Sequence, residues 1–130
     1  MNKFLITLFL GLLLCGTVHA LPKCSKTIHW KKWTNCSGTM TYSNQDEYVG
    51  EWEDGFKHGQ GTMTWSDGNI YTGGFKADYP SGRGMMTYLD GRTYDGQFEF
   101  GKREGQGAMI WPWGGEYVGE WLNNKMHGQG

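Results

Sequence analysis

Tyr48-Val49-Gly50-Glu51-Trp52 returns 23 residues later as Tyr71-Thr72-Gly73-Gly74-Phe75, then as Tyr94-Asp95-Gly96-Gln97-Phe98 and Tyr117-Val118-Gly119-Glu120-Trp121. A phrase recurring at a fixed spacing of this length marks one supersecondary unit stacked in a row, so the period decides the fold class. Each unit holds two runs with a period of two. In the first, Tyr48, Gly50 and Trp52 fall on one face, and Val49, Glu51 and Glu53 on the other. In the second, Gly61, Met63 and Trp65 oppose Thr62, Thr64 and Ser66. That alternation is strand patterning. A glycine-rich segment such as Gly55-Phe56-Lys57-His58-Gly59 separates the runs, and Asp67-Gly68 or Asp90-Gly91 leads to the next unit. Asp-Gly suits the positive φ angles of tight hairpin turns. The expected fold is all-β: an elongated single-layer antiparallel sheet of tandem 23-residue β-hairpins.

Aligned copies share more than the opening phrase. Glycines recur at Gly50, Gly59 and Gly61; at Gly73, Gly82 and Gly84; at Gly96, Gly105 and Gly107; and at Gly119. Glycine inside a strand normally weakens it. Gly50, Gly73, Gly96 and Gly119 each lie between two aromatics of one face, so their missing side chains leave room for rings to lie flat over the backbone. A half copy precedes the array, with Gly38-Thr39-Met40-Thr41-Tyr42 matching Gly61-Thr62-Met63-Thr64-Trp65 and Cys36 standing in the place of Gly59.

This pattern resembles the MORN repeat (membrane occupation and recognition nexus), close to Y-x-G-x-[WF]-x-x-G-x-x-H-G-x-G with a following D-G. The likeness covers roughly residues 37 to 130. Departures are few: Asp78 and Asn124 replace the glycine of Gly55 and Gly101, Ser81 and Glu104 replace the histidine of His58 and His127, and Trp113 replaces the aspartate before Gly114. The resemblance implies a single-layer sheet serving as a scaffold for protein partners or dimerisation, or as a membrane-associated module.

The beginning of the chain is of another kind. Met1-Asn2-Lys3, the apolar run Phe4 to Leu14 and Val18-His19-Ala20 have the build of a secretory signal peptide cut after Ala20. The run is short for a membrane span. Cleavage leaves Cys24 and Cys36, and an even count in an exported chain reads as a disulfide. The expected organisation is a leader at 1–20, a disulfide-pinned cap at 21–36 and an array at 37–130. Within the array stand a half unit at 37–47, units at 48–70, 71–93 and 94–116, and a partial unit at 117–130. The partial unit leaves Tyr117 to Trp121 as an expected exposed edge strand, open to pairing with another chain. Export is thus expected, to a periplasmic or extracellular space.

Charge narrows the partners. Lys23, Lys26, Lys31 and Lys32 stand without an acid among them, whereas from Ser37 onward seven Lys and Arg face thirteen Asp and Glu, a balance of −6. Such acidity argues against nucleic acid, whose binding rests on phosphate neutralisation. It also weakens attraction to anionic lipid.

No catalytic, metal or cofactor constellation emerges. His58 and His127 are the candidates for acid–base work, but Ser81 and Glu104 take their place in the intervening units. Gly59-Gln60-Gly61 and Gly105-Gln106-Gly107 lack the Lys and Ser/Thr of a phosphate-binding loop. Two surfaces remain as candidate binding sites. One is the aromatic stripe Tyr48, Trp52, Trp65, Tyr71, Phe75, Tyr88, Tyr94, Phe98, Trp111, Tyr117 and Trp121. Most of these rings are expected to pack on one another as the core; a part left open would form a groove for a peptide, a sugar chain or lipid tails. The other is a basic row at the hairpin tips, Lys57, Lys102, Arg103 and Lys125. The expected function is a non-enzymatic exported scaffold that binds another protein or itself, with binding to a membrane surface or an envelope glycan as the alternative.

Overall fold

The computed structural model describes residues 20–128 and 130. The leader expected at 1–20 lies outside these, except for Ala20. Nine strands form one sheet in chain order: β1 Cys36–Thr41, β2 Glu47–Glu53, β3 Phe56–Thr64, β4 Ile70–Lys76, β5 Tyr79–Thr87, β6 Thr93–Glu99, β7 Lys102–Ile110, β8 Glu116–Leu122 and β9 Lys125–His127. Every neighbour is antiparallel, so the array is a meander of hairpins, as the repeat period predicts. At about 4.8 Å per strand, nine strands extend about 38 Å across the ribbon. The helical element among the described residues is a 3-10 turn at Trp30–Lys32.

The core is a file of rings on one face of this single layer. Trp33, Trp52, Tyr48, Phe75, Tyr71, Phe98, Tyr94, Trp121 and Tyr117 follow one another edge to face, with centroids 4.9–5.4 Å apart and planes 78–88° apart. That geometry suits the aromatic quadrupole and adds about 0.5–1.5 kcal/mol per pair beyond burial. Tyr48, Tyr71 and Tyr94 are fully buried, and Met63 and Met109 fill gaps between the rings. Each tyrosine lies over a cross-strand glycine pair: Gly50 opposite Gly61, Gly73 opposite Gly84, Gly96 opposite Gly107. A Cβ on Gly61, Gly84 or Gly107 would collide with the ring. Each tyrosine hydroxyl donates to the carbonyl three residues on, at Glu51, Gly74, Gln97 and Glu120, over 2.8–2.9 Å. Burial pushes the Tyr71 and Tyr94 hydroxyls up to about 12, and Tyr48 higher still.

Where the sequence reading placed a glycine-rich connection, the chain is already strand. The turn is tighter, Asp54-Gly55, with both residues at positive φ (51° and 77°). Its counterparts are Ala77-Asp78, Phe100-Gly101 and Asn123-Asn124. Phe56 to Gly59 then run back as β3, with a bulge: Gly50 pairs with Gly61 and Trp52 with Lys57, so β3 carries the extra residues. Gly59, Gly82 and Gly105 take the left-handed conformation there (φ 61°, 74° and 76°), as a bulged strand requires.

Both ends of the sheet are dressed. Cys24 and Cys36 are joined as a disulfide. Lys23 bridges Ser37 in parallel, and Trp30 and Trp33 pack on Trp52, so the cap covers the β1 edge and begins the ring file. At the other end β9 pairs with Glu120–Leu122, so among the described residues the open edge is made of β9 and of Tyr117–Gly119 in β8.

Candidate functional site

Of the eleven aromatics of the stripe, Tyr48, Trp52, Tyr71, Phe75, Tyr94, Phe98 and Trp121 are at most 5 % exposed. They are core, and their surfaces are spent on one another. Trp65, Trp111 and Tyr117 remain half-buried, as does Tyr88.

The basic residues do not sit at hairpin tips. Lys57, Lys102, Arg103 and Lys125 all fall at the start of returning strands, because the turns occupy only the two residues before them. Lys102 and Lys125 point to solvent. Lys57 and Arg103 are built in. The Lys57 ammonium lies 5.1 Å from the Tyr42 ring centroid, donates to the Tyr42 hydroxyl over 3.2 Å and stands 3.7 Å from Asp78. Arg103 repeats the arrangement two units on. Its guanidinium lies 4.7 Å from the Trp121 centroid and 5.8 Å from that of Tyr94, and donates to the Tyr88 hydroxyl over 3.3 Å. Such stacking is worth about 0.5–2 kcal/mol, depending on desolvation.

The departures from the repeat at Asp78 and Asn124 acquire a reason here. Asp78 Oδ1 accepts the Lys57 N–H and Asn124 Oδ1 accepts the Arg103 N–H, each over 2.8 Å. The turn N–H groups of Asp78, Gly101 and Asn124 donate back to the carbonyls of Lys57, Pro80 and Arg103. Pro80, between the two cations in register, has no N–H to satisfy, and its partner Gly101 has no side chain to offer.

Pro80 also lacks the long cation of its counterparts, and there the aromatic face opens. A cavity of about 370 Å³ is lined by Trp65, Phe75, Pro80 and Met86, with Asp78 and Lys57 on its wall. Tyr79 and Phe100 stand on its rim, 53 % and 73 % exposed, with ring centroids 6.4 Å apart. Phe100 holds φ at 48°, where a bulky residue is unfavourable. Neither turn propensity nor burial accounts for an aromatic at that position. The sequence reading passed over Tyr79, Pro80 and Phe100 because each is an exception to the repeat rather than part of it.

The histidines show no catalytic setting. His58 Nε2 meets Glu53 over 2.9 Å, both about half exposed. His127 offers its backbone carbonyl to Tyr117. No cluster of three metal-ligating side chains occurs among the described residues.

Comparison with protein families matches the MORN repeat at residues 48–70, 71–91, 94–116 and 117–130. The chain belongs to the MORN-repeat family. Its repeats are of a kind that commonly serves as interaction scaffolds for proteins or membranes, and generally not as enzymes. Comparison with curated proteins returned no match.

Proposed function

We propose that this MORN-repeat chain is an exported, non-catalytic scaffold that takes a polypeptide partner on its aromatic face. One observation carries the reading. Beside Pro80 the ring file leaves an apolar cavity with two exposed aromatics, Tyr79 and Phe100, on its rim. Exposed rings beside an apolar pocket are the form of an interface anchor. Export is supported by the leader-like start and by a disulfide, which persists in oxidising compartments. Sequencing the mature protein from its native host should give an N-terminus at Leu21.

The binding reading is tested by selecting peptides from a displayed random library on the full protein, then measuring the winners on Tyr79→Ala/Phe100→Ala. Saturable binders that lose at least tenfold on the double variant support it. No enrichment, or binding indifferent to both rings, overturns it. Anionic vesicles serve as the parallel arm for the membrane alternative. The one basic cluster without acids, Lys23 to Lys32, lies in the cap at one end, and all four lysines are exposed.

A further inference from the structure

Four units place four residue pairs in the same two positions of the aromatic face: Tyr42 with Lys57, Trp65 with Pro80, Tyr88 with Arg103, and Trp111 with Met126. In the first and third pairs the chain supplies its own cation: Lys57 lies over the Tyr42 ring and bonds its hydroxyl, and Arg103 bonds the Tyr88 hydroxyl while lying over the nearby Tyr94 and Trp121 rings. In the second pair the rings remain and the cation is missing. We propose that the cavity beside Trp65 is a receptor site for a lysine or arginine side chain of the partner, seated where Lys57 and Arg103 sit in the flanking units. This rests on the reading of the array as a polypeptide-binding scaffold and adds the chemistry of what it binds.

The lining suits such a side chain along its length. Met86, Pro80 and Phe75 receive an aliphatic stem, as apolar surface commonly does for Lys and Arg. Trp65 offers the strongest cation-binding ring face, in the repeat position where the Tyr42 ring already carries the Lys57 ammonium. The hydroxyl that anchors the internal cations is absent from Trp65, but Asp78 lies on the cavity wall. Its Oδ1 holds the Lys57 N–H, whereas its Oδ2 has no hydrogen bond among the described residues. The neighbouring Lys57 ammonium is held by the Tyr42 hydroxyl and stands 3.7 Å from Asp78 Oδ1, so Oδ2 is the carboxylate oxygen left for a second cation. The fourth unit shares the Trp and apolar pairing, but carries the amide Asn124 where the second carries a carboxylate. The charge balance of −6 from Ser37 onward draws a basic segment toward the face at long range.

The test uses acetyl-arginine methylamide and acetyl-norleucine methylamide as probes, titrated against the full protein. Binding is followed at the Trp65 indole N–H and the Met86 methyl by NMR. The arginine probe should bind saturably and at least fivefold tighter than the uncharged one. Asp78→Asn should weaken the arginine probe at least threefold and leave the norleucine probe unchanged. This variant keeps the fold, because Asn124 shows that an amide at this position still accepts the backbone bond. Pro80→Arg/Gly101→Asn, which installs the Arg103–Asn124 pair in the second unit, should fill the site from within and remove binding of both probes. Equal or tighter binding of norleucine overturns the proposal, as does indifference to Asp78→Asn or the absence of saturable shifts. The library selection separates the two readings: winners with apolar anchors and no basic residue would sink the cation site and leave the scaffold standing.

Discussion

Gly84→Ala tests the principle on which the array is built. Gly84 has ordinary strand geometry, so alanine meets no backbone strain there, and on an open strand the exchange would stabilise by about 0.4–1 kcal/mol through the unfolded chain. Here a Cβ would fall 2.5 Å from Cε2 and Cζ of Tyr71, and closer still to its hydroxyl. The ring has nowhere to retreat, because Phe75 and Phe98 hold it at 5.1 and 4.9 Å. Overpacking of this kind costs about 1–3 kcal/mol. Displacing the ring also loosens the hydroxyl bond to Gly74, worth about 0.5–1.5 kcal/mol, and one or both edge-to-face pairs. The expected loss is about 3–5 kcal/mol, a large share of the stability of a domain of this size. Urea unfolding followed by tryptophan fluorescence reads it directly. Gly82→Ala is the control with the opposite problem: no atom lies within 4 Å of its Cβ, but φ is 74°, and its cost should be only about 1–2 kcal/mol. In a Tyr71→Ala background the collision partner is gone, so Gly84→Ala should become neutral or stabilising. A loss below about 0.5 kcal/mol for Gly84→Ala, or an undiminished loss in the Tyr71→Ala background, would refute the ring-over-glycine account.

Reducing the Cys24–Cys36 disulfide, which spans 12 positions in sequence, should lower stability by about 3 kcal/mol on loop-entropy grounds, read as a shift in urea midpoint with and without reductant. Phe100→Gly should raise stability by about 1 kcal/mol by relieving φ 48°, while weakening the selected peptides; a destabilised variant would show that the ring serves the fold instead. The pH profile should have an alkaline shoulder. Tyr71 and Tyr94 have folded values near 12 against 10.0, so they favour the folded state fully below pH 10, and that stability is lost as pH rises from 10 through 12. The slope there is about 1.4 kcal/mol per pH unit for each tyrosine held protonated. Stability measured by urea titration at pH 9, 10.5 and 11.5 checks this, and a flat profile across that range would sink it.

The period was legible because its carriers are chemically conspicuous. A tyrosine two residues before a glycine and four before another aromatic can hardly recur by accident, and its physical meaning, a ring lying over a gap, follows from the residue types. The turns were less so. Gly55 to Gly59 contains two glycines, and either could have marked the bend. The structure gives the first to a turn with two positive φ angles and the second to a bulge, a distinction of hydrogen bonding that composition does not carry. The basic residues were misplaced for the same reason, since a turn confined to two residues puts Lys57 and Arg103 on strands and over rings. The pairing of Asp78 with Lys57 joins residues 21 apart in different hairpins. It becomes readable only once the units are known to stack with turn beside strand.

A stacked array differs from a globular core in how it tolerates exceptions. Each unit touches only its neighbours, so a change in one is felt locally and the rest of the file persists. Replacing a stacked cation by Pro80 removes one hydrogen-bond donor, one acceptor requirement and one covering side chain, and Gly101 answers the first two. The third is left unanswered, and Tyr79 of the same unit and a strained Phe100 of the next stand at the opening. If the exception were drift alone, the most economical repair would be a small polar residue at position 100, suited to a positive φ and to water. An aromatic there instead, beside a cavity and a carboxylate with a free oxygen, is coherent with selection for contact rather than for folding. Phe100→Gly separates the two pressures, because the fold should gain from the change that binding loses.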